Sequence, residues 1–143
     1  MTREEKKAYL SRYRLAGREV RRLEEELGRW ESRAASVTPG YGGEPGGSPR
    51  GDALQQAVER ILELREDLGR QLMAEVSLRR EMGAAIGSLE DPKLRLLLRL
   101  RYLDGLTWEG LAEKMDLDPR WVRRLHVRAL DRLTLESPPP PVV

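Results

Sequence analysis

Residues 91–133 read DPKLRLLLRLRYLDGLTWEGLAEKMDLDPRWVRRLHVRALDRL, and the two Asp-Pro pairs in that stretch set its reading frame. Aspartate before proline at the head of an apolar periodic run marks a helix start. The carboxylate accepts orphan amide hydrogens, and proline fills a position whose N–H has no partner to lose. Asp91 and Asp118 are therefore expected N-caps. From Asp91, Leu94, Leu97, Leu98, Leu100 and Tyr102 give a helix with a broad apolar face that stops at Asp104-Gly105. Thr107 caps a short helix, with Gly110 standing where a reciprocal capping box would place its acid. Leu111, Ala112 and Met115 form that helix's inner face, and Ala112 stands where only a small side chain lets two helices approach. After the turn Asp116-Leu117-Asp118, the last helix turns Val122, Leu125, Ala129, Leu130 and Leu133 inward. A short helix, a three-residue turn and a longer helix with a basic outer face make a helix-turn-helix.

Charge separates this segment from the rest. The 143 residues hold 26 basic and 24 acidic side chains. Residues 1–90 are balanced at 16 of each sign, whereas residues 119–133 hold Arg120, Arg123, Arg124, Arg128 and Arg132 against Asp131 alone. A helix fits the major groove of double-stranded DNA, and its first two turns reach base edges. Arg120, Arg123 and Arg124 lie there, away from the Val122/Leu125 face, and arginine pairs bidentately with guanine O6 and N7. Thr107, Trp121, Arg128 and Arg132 are assigned to phosphates, which supply affinity without reading sequence. Lys93, Arg95, Arg99 and Arg101 are open to either a flanking phosphate or a structural use.

Upstream the chain reads as two long helices. Tyr9, Tyr13, Ala16, Val20, Leu23, Leu27, Trp30, Ala34 and Val37 alternate by four and three, an a/d pattern that places Trp30 in the core. A second run, Leu54, Val58, Ile61, Leu64, Leu68, Leu72, Val76, Met82, Ile86 and Leu89, slips register after Leu68, and Glu75 takes a seam position. The divisions expected are an N-terminal coiled-coil helix over 1–37, a Gly/Pro-rich flexible linker over 38–51 and a second long helix over 52–89. The helix-turn-helix follows over 90–135, then a disordered Pro-rich tail over 136–143. The fold class is all-α. An antiparallel hairpin and an intermolecular coiled-coil homodimer satisfy the pattern equally.

Several functions find no residues. There is no cysteine for a disulfide scaffold, thiol chemistry or thiolate zinc site, and the single histidine, His126, excludes a polyhistidine metal cluster. No metal or cofactor is expected. His126 has no catalytic partner at a workable spacing, so it is expected to pack or to touch a phosphate, and Trp108 and Trp121 to pack at helix starts. The paired glycines at 42–43 and 46–47 lack the Lys-Ser/Thr of a phosphate cradle. No enzyme is expected. No apolar run approaches the roughly 20 residues of a membrane span, and a cytoplasmic location is the expectation.

Two segments, LRYLDGLTWEGLAEKM from Leu100 and VRRLHVRAL from Val122, resemble region four of bacterial sigma factors, over roughly residues 89–134. That resemblance implies a helix-turn-helix that reads promoter DNA. The whole layout is also similar to small phage and prophage proteins of sigma-region-four type. The residues that carry this are the tyrosines of the first helix, the SVTP segment before the Gly-rich linker and the LEDPKLRLLLRLRY and RLHVRAL stretches. The narrower resemblance implies a phage or prophage transcription regulator, akin to late-gene activators, acting on double-stranded DNA in a bacterial host cell, with the coiled-coil part expected either to set oligomer state or to contact a partner such as RNA polymerase. Departures limit the transfer. Pro119, Arg120 and Arg124 replace the Arg, Glu and Gln frequent in sigma recognition helices, so base preference does not carry over. Asp116 replaces the usual turn glycine, and nothing resembles the sigma region that melts DNA. Two other functions suit the same elements: the DNA-recognition subunit of a phage packaging (small terminase-like) complex, and a protein–protein interaction module.

Overall fold

The computed structural model describes residues 1–36 and 49–135. The elements are α1 (Arg3–Ser36), α2 (Pro49–Gly87), α3 (Pro92–Leu98) running into a π-helical turn (Arg99–Leu103), α4 (Trp108–Met115) and α5 (Pro119–Arg132). No strand occurs among the described residues, and the all-α expectation holds. Most of the expected linker and the whole Pro-rich tail lie outside the described residues. Pro49–Gly51, expected in the linker, form the first turn of α2, where a proline forfeits no intrahelical hydrogen bond.

The chain divides into two compact units, Gly17–Ala74 and Met1–Ala16 with Glu75 onward. In the first, the later part of α1 pairs with the earlier part of α2. Val20 and Leu23 are buried, as are Ala57, Ile61 and Leu64. Glu26 bonds Arg60 at 2.8 Å, ten residues before α1 ends and eleven after α2 begins, so the helices run antiparallel here. Arg60 is the chief reason that the Glu26 carboxyl is held below its ordinary pKa. Trp30 departs from the seam expectation: it is half-buried, with the Arg33 guanidinium 4.7 Å from its ring centroid.

In the second unit the start of α1 and the end of α2 again run antiparallel, with Tyr9 Oη donating to Glu81 at 2.9 Å and Arg79 donating to Tyr13 Oη at 3.2 Å. These stretches share one core with the helix-turn-helix. Tyr9, Leu10, Met82 and Ile86 join Leu94, Leu97, Leu98, Leu111, Val122, Leu125, Ala129 and Leu130 in a single buried cluster. Two polar ties fix the start of α1 to the end of α5. Arg3 grips Asp131 with both arms of its guanidinium at 2.7 and 2.9 Å. Lys6 Nζ donates to the Leu130 carbonyl at 2.7 Å, placing a cation where α5's last carbonyls concentrate negative potential.

The turns follow their expected chemistry. Asp91 accepts from Lys93 N at 2.9 Å, Asp118 from Arg120 N at 2.8 Å, and Thr107 Oγ1 from Gly110 N at 3.0 Å. A Cβ at Gly110 would lie 3.2 Å from both Leu106 Cδ2 and Thr107 Oγ1. The missing acid of the capping box is thus a glycine that makes room for the cap. The π-helical turn was not foreseen. It carries one extra residue, so Asp104 N donates to Arg99 O and Leu106 N to Leu100 O, with Gly105 turning the chain at φ 73°. α4 ends in a Schellman motif: Leu117 N bonds Ala112 O at 2.9 Å around Asp116, which is left-handed at φ 55°, ψ 50°.

The two ends of this tight turn should respond to substitution with opposite signs. Asp118→Ala removes a cap and should destabilise the chain by about 1 kcal/mol. Asp116→Gly relieves a left-handed residue and should stabilise it by up to about 1 kcal/mol. Urea midpoints at a fixed slope measure both, and equal signs would overturn this account of the turn.

Candidate nucleic-acid interface

α5 is amphipathic in a strict sense. Val122, Leu125, His126, Ala129 and Leu130 are buried against α3 and α4. At 100° per residue, Arg120, Arg124 and Val127 fall on one row diametrically opposite that face. Arg123 and Arg128 flank the row, and all five are exposed. The side chains of Arg120 and Arg124 have no hydrogen-bond or ion-pair partner among the described residues, which leaves their full donor sets for an external acceptor. Asp131, the one acid on α5, is paired with Arg3, so its charge does not oppose the arginines.

The other predicted site residues divide by position. Arg123 leans on α4, its guanidinium 5.1 Å from the Trp108 ring centroid, and Arg101 lies 4.4 Å from the same ring. The indole thus holds two cations near the start of α4. Arg101 is fixed further by donating to the Leu106 carbonyl at 2.8 Å. Burial, and next the nearby Arg14 guanidinium, holds the Arg101 pKa below its ordinary value. Arg95 donates to the carbonyls of Leu89 and Glu90; both it and Arg101 take the structural use. Thr107 is exposed, with its oxygen occupied as acceptor and its hydroxyl proton left to donate. Trp121 differs from the packing expected of it: it is 38% exposed, with Arg128 5.8 Å from its ring centroid. Arg132 sits about 18 Å along the axis from Arg120, its Nη1 3.9 Å from the Asp91 carboxylate, at the end of α5 opposite the base-edge trio. Val127 was missed; its place on the row follows from helical spacing, but a lone valine amid arginines reads as core.

His126 is a packing residue. It is 4% exposed, hydrogen-bonded to Tyr102 Oη through Nε2 at 2.6 Å, and meets Trp108 edge-on at 4.9 Å between centroids. Burial, followed by the charges of Lys7, Arg101 and Arg123, lowers its pKa to about 4. The ring is neutral at physiological pH and braces α5 against the π-helical turn and α4. Among the described residues no group of acids and histidine is placed to hold a metal ion, and no helix is long and apolar enough to cross a membrane.

Residues 85–134 match the family model of sigma-70, region 4, a helix-turn-helix that binds DNA. The match spans the end of α2 through α5 and includes every exposed arginine described above on α5. No curated protein and no solved structure matches the chain.

The buried imidazole gives the fold a pH dependence with a definite sign. Its folded pKa of about 4 lies below the unfolded value of about 6.5, so the unfolded chain takes up the proton first as pH falls. Stability from the neutral ring is complete above about pH 6.5 and is lost progressively toward pH 4, by up to about 3 kcal/mol. Urea midpoints should drop between pH 7 and pH 5 in the wild-type chain, and His126→Gln should flatten that difference. An unchanged slope in the variant would assign the pH dependence elsewhere.

Proposed function

We propose that the sigma-70 region-four segment makes this chain a sequence-specific double-stranded DNA-binding transcription regulator of the phage or prophage kind, without enzymatic activity of its own. The observation that carries the reading is the row Arg120, Arg124 and Val127 on the outer face of α5, opposite its buried side. Two unpartnered guanidinium groups in the first two turns suit guanine O6 and N7, and the valine between them and the flanking arginines suits a thymine methyl. Thr107 at the start of α4 and Arg128 further along α5 suit the phosphates on either side of the groove. Arg123, leaning on Trp108, is positioned between these roles and can reach a base edge or the adjoining phosphate. RNA polymerase is the protein partner that a regulator of this type implies.

Binding to an operator selected from a random duplex pool tests the assignment. Arg124→Ala should cost about 1–3 kcal/mol on the preferred base pair and relax the preference there. Arg128→Ala should weaken all duplexes alike and reduce the steepness of the log–log salt dependence by roughly 0.9. If neither substitution changed duplex binding, α5 would not be a recognition helix. Binding to an acidic protein surface would be favoured instead.

A further inference from the structure

The start of α1 brings positive charge to the helix-turn-helix from outside the segment that matches sigma-70 region 4. Arg3, Lys7, Leu10 and Arg14 lie within about 60° of one another around α1. Arg3 is bonded to Asp131, and the neighbouring Lys6 to the Leu130 carbonyl, both near the end of α5. His126, about one turn closer to the start of α5, is influenced by burial first and then by the charge of Lys7. The first turns of α1 therefore run toward the recognition turns of α5. Leu10 is fully buried in the shared core. Arg14, the next position on that line, is exposed.

The surroundings of Arg14 are cationic. After burial, its charge is the largest reason that Arg101 is held below its ordinary pKa, and Arg123 adds to the effect. Arg101 and Arg123 share the indole of Trp108, the first residue of α4, at 4.4 and 5.1 Å from the ring centroid. Among the described residues, the side chains of Arg14 and Arg123 have no hydrogen-bond or ion-pair partner, and that of Arg101 donates to the Leu106 carbonyl. Glu109, whose charge also reaches Arg101, forms no ion pair with any of the three. Guanidinium groups gathered without a counter-charge repel one another, and a bound anion turns that repulsion into attraction.

We propose that Arg14 is a DNA ligand, receiving with Arg123 a backbone phosphate of the duplex beside the start of α4, so that the bound surface extends onto α1. Arg101 adds its charge without leaving the Leu106 carbonyl. A phosphate is the fitting group because Arg14 lies off the helix that enters the groove, and its planar fork matches phosphate oxygens. The inference rests on the DNA-binding reading of α5 and adds a contact that the helix-turn-helix alone does not hold.

The full chain is titrated with the selected operator duplex over a salt series, and phosphate ethylation interference is mapped in parallel. Arg14→Ala should weaken all duplexes alike, on the order of threefold to tenfold, and reduce the steepness of the log–log salt dependence by roughly 0.9. Arg14→Lys should keep the wild-type steepness. One phosphate whose ethylation weakens the wild-type complex should become indifferent in Arg14→Ala, because that contact is gone. In urea, Arg14→Ala should be at least as stable as the wild type, with the gain largest at low salt, where repulsion is least screened. If Arg128→Ala lowered the salt dependence while Arg14→Ala changed neither it nor the interference map, this proposal would fail and α5 would stand as the recognition helix. Weaker binding that came with lower stability would also overturn it, by giving Arg14 a structural role. A wild-type chain that bound no duplex would overturn the reading of α5 and this contact together.

Discussion

The orientation of α5 depends on the wedge behind it. Val122, Leu125, Ala129 and Leu130 are held among Leu94, Leu97, Leu98 and Leu111, and a rotation of the helix that exposed this row would cost several buried side chains at about 1.5–3 kcal/mol each. That cost fixes which way Arg120 and Arg124 point more firmly than any polar contact they make. His126 and Trp108 extend the wedge sideways, as a neutral ring against an indole whose π-system also receives Arg101 and Arg123. The same packing that orients the helix gathers positive charge around it, and the pKa values of both His126 and Arg101 are lowered as a result. Stability and cationic field are thus built from one set of neighbours.

Much of this was legible in the sequence where local chemistry decides the structure. Asp91, Thr107 and Asp118 cap as expected because a cap depends on three or four consecutive residues, and Asp116 adopts the left-handed conformation that aspartate tolerates better than most. The exposure of Arg120, Arg123, Arg124 and Arg128 followed from helical spacing alone. What escaped depends on residues distant in the chain. Leu10 is fully buried although it is off the a/d line, because α1 is covered near its start by α5 as well as α2, and an alternation of three and four assumes a single covering neighbour. The π-helical turn at Arg99–Leu103 has no signature in a run of leucines and arginines.

The apparent register slip in α2 has a structural cause of the same kind. Ile61, Leu64 and Leu68 belong to one stripe, which continues through half-covered Glu75 and Leu78 to Met82 and Ile86. Val58, Leu72 and Val76, read as seam positions, are exposed and belong to another. A single a/d line drawn through all of them starts on the outer stripe at Val58, runs on the inward one from Ile61 to Leu68 and crosses out again after Leu68. The helix is regular there; only the identity of the apolar positions changes, and Glu75 holds its place in the inward stripe.

Arg3 and Asp131 lie 128 positions apart and bond directly, and Tyr9 and Leu10 share a core with Leu130 and Leu133. A chain emerging from a ribosome makes its first turn long before the partners of that turn exist. Tyr9 and Leu10 must therefore wait, solvated or held by something else, until α5 has cleared the exit tunnel. Local contacts can form α4 and α5 early, but this closure has a long loop to overcome. Translation stopped short of α5 would leave the apolar start of α1 covered by α2 alone, a product suited to proteolysis.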